Sequence, residues 1–117
     1  MKHIRVLKRH GSPGLREDIF LALACERRVK IIELLKSGEK TTQYINKHLN
    51  IHPSVVSRHL NMLLSTGLIN VKREGVSAYW SLSEKRVLEL LTIAEEIAKN
   101  IIKERKNFYK SLEDEKL

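Results

Sequence analysis

The sequence predicts a mainly α-helical, single-domain α+β fold with one small β-hairpin and a long last helix. Three observations carry that expectation. Apolar residues recur at helical spacing over most of the 117 residues, the period switches once to alternation after Gly67, and a helical stripe then resumes and runs long. With 42% hydrophobic and 31% charged side chains, the chain can bury a real core and has no bias toward disorder.

Residues 1–14 carry Lys2, Arg5, Lys8 and Arg9 and end in the breaker Gly-Ser-Pro-Gly, which reads as a loosely attached basic arm. A first helix is expected from Leu15 to Ala24, with Ile19, Phe20 and Leu23 as its apolar stripe. Glu26 to Lys36 gives a clearer second helix. There Val29, Ile31, Ile32, Leu34 and Leu35 recur at helical spacing, and Ser37-Gly38 stops them. A short third helix follows, with Thr41 or Thr42 as N-cap, Ile45 and Leu49 on the buried side, and Asn50 at its end. "NIHP" is a tight corner, and Pro53 suits the first turn of a fourth helix because the N–H it lacks is an orphan there. From Pro53 onward, Val56, Leu60, Leu63 and Leu64 share one face, and Ser54, Ser57, Arg58 and Asn61 share the other. Two helices joined by a short turn, the second polar on its outer face, make a helix-turn-helix.

The alternating stretch "LINVKREGVSAYWSL" predicts two strands, Leu68 to Lys72 and Ser77 to Leu82, around a Glu74-Gly75 turn. Lys72 and Arg73 lie near its tip. From Ser83, expected as an N-cap, a helix runs to about Phe108 along the stripe Val87, Leu91, Ala94, Ala98, Ile101 and Ile102. At about 1.5 Å per residue it spans roughly 38 Å, longer than so small a domain needs. A second copy of the chain is the expected partner for that stripe. Residues 109–117 read as a flexible tail.

The charge balance narrows the partners. Lys and Arg number 22 against 14 Asp and Glu, a formal charge of +8 with a pI near 9.8. Such an excess favours a polyanion such as nucleic acid, with a merely solvated basic surface as the plain alternative. Cys25 is the sole cysteine, which excludes an intramolecular disulfide and cysteine-rich zinc modules and fits a reducing, cytoplasmic compartment. The N-terminus lacks the apolar run of a secretory leader, and no stretch approaches the roughly 18 apolar residues of a membrane span.

Helix, helix, helix-turn-helix, hairpin and long helix, in that order, make a winged helix-turn-helix. The stretch "CERRVKIIELLKSGEKTTQYINKHLNIHPSVVSRHLNMLLSTGLINVKREGVSAYWSLS" resembles the core of the ArsR/SmtB transcriptional regulators of bacteria and archaea. Its most specific piece is "SVVSRHLNMLLSTGLINVKREG", a recognition helix followed by "GLI" and a basic wing. The pattern "SRHL…L…GL" is shared with neighbouring winged-helix families such as MarR. The resemblance covers roughly Leu15 to Leu82; the final helix is similar in placement. It implies a homodimeric, sequence-specific regulator of double-stranded DNA, most often a repressor, associated with the nucleoid. The chain would then divide into an arm (1–14), a DNA-binding domain (15–82), a dimerisation helix (83–108) and a tail (109–117). Ile19, Phe20, Leu23, Val87, Leu91, Ala94, Ala98 and Ile101 are the expected dimer contacts.

The expected DNA contacts are Ser54, Val55, Ser57, Arg58, His59 and Asn61 on the recognition helix, with Lys72, Arg73 and Gly75 on the wing. An α-helix fits the major groove, about 12 Å wide, and serines permit close approach. Arg58 suits bidentate contact with guanine or the clamping of a phosphate, and the wing cations suit phosphate or the minor groove. A surface ion pair is the plain reading of Arg58. His59 lies at the edge of the core in helical phase, so phosphate contact and packing stay open; His52 occupies an N-cap position where imidazole is an uncommon cap.

No metal or cofactor is expected. His48 and His52 are four apart, but the corner at Pro53 separates them, and no thiol or carboxylate completes a set. Metal-sensing members resemble "ELCVC" at the third helix, where this chain reads "EKTTQYI"; others use histidines of the last helix, which here has none. Cys25 reads as a small packing residue. Enzymatic activity is not expected either: Ser54, Ser57 and His59 lack an orienting carboxylate and a strained nucleophile turn, and Gly67 and Gly75 are isolated. A sequence-nonspecific architectural DNA protein is the alternative function.

Overall fold

A computed structural model describes residues 14–115. The basic arm expected over residues 1–14 lies outside them apart from Gly14, as do residues 116–117. The described residues form α1 (Leu15–Leu23), α2 (Glu26–Leu34), β1 (Lys40–Thr41), α3 (Thr42–Leu49), α4 (Pro53–Thr66), β2 (Ile69–Glu74), β3 (Ser77–Leu82) and α5 (Arg86–Glu115). A 3-10 turn, Leu35–Ser37, tightens the end of α2. The fold is the winged helix-turn-helix that the sequence predicts.

Capping chemistry sets where the central helices begin. Thr41 Oγ1 accepts from the Tyr44 N–H at 3.1 Å, so Thr41 is the N-cap of α3. Thr42 serves another purpose: its Oγ1 accepts from Trp80 Nε1 at 2.8 Å, tying α3 to the sheet. Asn50 closes α3 in the left-handed region, φ 52° and ψ 45°, which its short amide side chain tolerates better than most. His52 caps α4 after all. Its Nδ1 accepts from the Ser54 N–H at 3.1 Å, and Pro53 fills the first helical position. Gly67 ends α4 at φ 90°, where a side chain would be strained.

α4 packs on α1, α2, α3 and β2, while α3 lies against β1 and β3. The core is Ala22, Ile31, Ile32, Leu35, Ile45, Val56, Leu60, Leu63, Leu68, Ile69, Ala78 and Trp80. Full burial of each large aliphatic chain contributes roughly 1.5–3 kcal/mol. The antiparallel sheet has the order β1-β3-β2, with Val71 opposite Trp80 and Lys72 opposite Tyr79 on one side of β3, and Thr41 opposite Tyr79 on the other.

Three element boundaries differ from expectation. β1 was not foreseen, because two residues are too short for any periodicity. The first wing strand begins at Ile69 and continues through Arg73 to Glu74, since Gly75 (φ 60°) and Val76 alone make the turn. The last helix begins at Arg86, three residues later than expected. The Ser83 hydroxyl donates to the Gly67 carbonyl and its N–H to the Leu68 carbonyl, so Ser83 closes the base of the wing.

α5 is a unit by itself. Its 30 residues run through Glu115, past Phe108 and into the stretch expected to be a tail. The apolar stripe thins there, but Lys110, Leu112 and Glu113 are good helix formers, so propensity carries the helix on. Among the described residues of α5 only Val87 is buried; Leu91 is half-buried, and Ala94, Ala98 and Ile101 are exposed, as are Ile93, Ile97 and Ile102. None of the described helices is long and apolar enough to cross a membrane.

Candidate nucleic-acid interface

The geometry of α4 follows from what it buries. Val56, Leu60 and Leu63 are at most 1% exposed and fix the helix about its axis. With about 3.6 residues per turn, the opposite stripe is then Ser54, Arg58, Asn61 and Ser65. The first three are exposed, as is Ser57 beside them, and Ser65 is half-exposed. Val55, His59 and Met62 follow one flank of that stripe; Val55 and His59 are half-buried and Met62 is exposed. Ser54 Oγ lies 2.8 Å from His52 Nδ1, so its hydroxyl is held at the helix start.

His59 is drawn inward. Its Nδ1 sits 3.4 Å from Arg28 Nη1, a contact that needs an unprotonated Nδ1. Partial burial, reinforced by Arg28, Arg27 and Arg58, holds its pKa below the ordinary histidine value. Arg28 is itself fixed. Nε donates to the Ala22 carbonyl at 2.6 Å and Nη2 to the Leu21 carbonyl at 3.0 Å, so Arg28 serves carbonyls of the last turn of α1, where the Leu21 carbonyl also accepts from the Ala24 N–H.

The wing presents Lys72, Arg73 and Gly75, all exposed. Lys72 Nζ lies 3.8 Å from both Glu39 and Glu74 carboxylates and 5.8 Å from the Tyr79 ring centroid, so its charge is already shared. Exposed pairs of this kind contribute little, and they leave the lysine exchangeable. Arg73 has no ion-pair partner among the described residues and is the freer cation.

Three residues near this surface escape periodicity arguments. Arg28 reads in sequence as one more surface charge. Tyr44 is 37% exposed on α3, stacked on His48 at 4.0 Å between centroids, with Lys40 Nζ 5.3 Å from its ring. His48 Nδ1 donates to the Tyr44 carbonyl at 2.9 Å. Val76 is fully exposed at the wing tip. Among the described residues, no three His, Cys, Asp or Glu side chains gather as a set that could hold a metal ion. Cys25 is half-buried at the start of α2.

The expected dimer contacts divide by exposure. On α1, Phe20 is exposed and Ile19 and Leu23 are half-buried; on α5, Val87 is buried, Leu91 is half-buried, and Ala94, Ala98 and Ile101 are exposed.

Known proteins share this arrangement. The model described as "Bacterial regulatory protein, arsR family" matches residues 25–71, from Cys25 through the helix-turn-helix into β2. The transcriptional repressor SdpR of Bacillus subtilis is 38% identical over 66 residues, 56% of this chain and 73% of that protein. The homodimeric winged helix-turn-helix DNA-binding domain Mb0332 of Mycobacterium bovis, a possible ArsR-family transcriptional regulator, superposes with a TM-score of 0.64 at 28% identity. That match covers 73% of this chain and 79% of that domain. Rv0081 of Mycobacterium tuberculosis shares the fold, with a TM-score of 0.70 at 23% identity over 81% of this chain and 98% of its own. With its recognition helix, wing and matched segment in the same order, the chain belongs to the ArsR family of winged helix-turn-helix transcriptional regulators.

Proposed function

We propose that this chain is a sequence-specific repressor that binds an inverted-repeat operator as a homodimer. The observation that carries the reading is the outward stripe of α4, held away from the core by Val56, Leu60 and Leu63. Ser57, Arg58 and Asn61 read base edges in the major groove, and Arg58 is the principal sequence-reading side chain. Arg73 and the backbone at Gly75 approach phosphates or the minor groove, with Lys72 leaving its carboxylates when DNA arrives.

A homodimer supports this use of α4. α5 exposes Ile93, Ile97 and Ile101, and α1 exposes Phe20 and Leu21, apolar surface that a second copy would cover. Two recognition helices would meet half-sites about 34 Å apart, one helical turn of DNA. SdpR is a repressor and the Mycobacterium bovis domain is a homodimer, which supports both readings. The cytoplasm, where the DNA lies, is the proposed location.

The net charge of +8 favours a second reading, a nonspecific architectural DNA protein. Binding to a duplex selected from a random pool, against a scrambled duplex at rising salt, separates the two. The repressor reading expects a gap on the order of 10³-fold or more that persists as salt rises, and Arg58→Ala should narrow it. Equal binding of both duplexes at every salt concentration overturns it in favour of the architectural reading.

A further inference from the structure

Beside the recognition helix, on its α2 flank, lies an open depression of about 490 Å³ lined by Arg28, Arg58, His59, Asn61, Met62 and Ser65. No carboxylate lines it. Arg27, Arg28 and Arg58 make no ion pair with any described residue, and all three raise the positive potential at His59. A cationic depression with no internal counter-charge is built for an anion.

Arg28 makes this more than a patch of surface charge. Its Nε and Nη2 are held by the Ala22 and Leu21 carbonyls, and its Nη1 stands against His59. A guanidinium has five N–H donors, so donors remain after these contacts, on a group whose orientation is already set. An anion arriving there finds a planar fork that loses little further freedom on binding.

The position of the depression indicates which anion. When the Ser54–Arg58–Asn61 stripe faces base edges, the two flanks of α4 face the two phosphate strands that wall the groove. Arg28 stands on the flank of Val55, His59 and Met62, away from the stripe itself. We propose that Arg28 clamps a backbone phosphate of the operator, so that the DNA footprint extends beyond the helix-turn-helix onto α2. This rests on the DNA-binding reading above.

Methylphosphonate scanning tests the clamp. A duplex selected from a random pool by the wild-type protein is remade with single phosphates replaced, one at a time, by neutral methylphosphonates. One replacement flanking the groove should weaken wild-type binding about tenfold, and that loss should vanish in Arg28→Ala. The slope of log affinity against log salt should also fall by about 0.9 in the variant, as for one lost phosphate contact. Because Arg28 also caps α1, urea unfolding is run on the variant, with Arg28→Lys as a second variant that keeps the charge and should retain most of the salt slope. A folded Arg28→Ala protein with unchanged salt slope, or with the methylphosphonate loss undiminished, overturns the inference while leaving the repressor reading intact. Stabilisation of the wild type alone by inorganic phosphate, with the salt slope unchanged, also overturns it and assigns the depression to a free phosphorylated molecule. Failure of the wild type to select any duplex overturns the underlying DNA reading, and the clamp with it.

Discussion

Trp80 Nε1 donates to Thr42 Oγ1 at 2.8 Å, joining two residues 38 positions apart and fastening the sheet to the first helix of the helix-turn-helix. Trp80 is 4% exposed, so little of the indole meets water and its N–H depends on this acceptor.

Thr42→Val should therefore destabilise the domain by about 1–3 kcal/mol, the cost of a buried donor left unpaired. Trp80→Phe removes the donor along with part of the indole. A double-mutant cycle by urea denaturation should show a coupling on the order of 1 kcal/mol between the two positions. Strict additivity would mean that the hydrogen bond does not form in solution.

Neighbouring residues on α4 should differ sharply. Leu63 is fully buried and Met62 is 44% exposed. Leu63→Ala should cost about 2–5 kcal/mol, a large share of the 5–15 kcal/mol available to a typical domain. Met62→Ala should stay within about 0.5 kcal/mol. Thermal melts of the two variants check the helical phase of the recognition helix, and similar losses would show that α4 is rotated.

Acid should act through His59. Its pKa is lowered from the ordinary 6.5, by burial first and then by Arg28, Arg27 and Arg58. The unfolded chain thus binds the proton more readily than the folded one. Stability from this residue is complete above pH 6.5 and is lost as the pH falls from there through the lower folded value. His59→Gln keeps an acceptor for Arg28 and cannot titrate. The wild-type melting temperature should fall relative to this variant as the pH drops below neutrality; parallel pH profiles would rule the effect out.

Self-association should depend on α5. Ile97 is 55% exposed, so Ile97→Glu introduces a charge without removing a core contact of the single chain. Sedimentation at micromolar concentration should report a dimer for the wild type and a shift toward monomer for the variant, with helical circular dichroism largely retained. A monomeric wild type would remove the dimer from the proposed function.

The central fold was legible because its elements announce themselves in local chemistry. Pro53 marks the start of α4, Asn50 the end of α3, and alternation from Ile69 the wing. The features that sequence concealed depend on distant partners. β1 exists only because Lys40 and Thr41 lie opposite Trp80 and Tyr79. Ser83 gives no local sign that its hydroxyl reaches the Gly67 carbonyl 16 residues back. Arg28 carries no periodic message, and its importance appears only when the carbonyls of α1 and the ring of His59 surround it. Within the candidate interface, the outward position of Ser57, Arg58 and Asn61 was readable from the phase of their buried neighbours. The pairing of Lys72 with Glu39 was not, because Glu39 belongs to another part of the chain.

Thr41 takes part in two structures at once: it pairs with Tyr79 in the sheet and caps the helix that leads into α4. The strand that carries the wing is thereby stitched to the helix that precedes the reading helix. On the proposed DNA, α4 and the wing tip then act as the two jaws of a calliper whose opening is set by the fold. Such a tool measures distance as well as sequence. A site with one base pair inserted between the two contacts, about 3.4 Å along the axis, would leave one jaw closed on nothing even if every base read by α4 were correct.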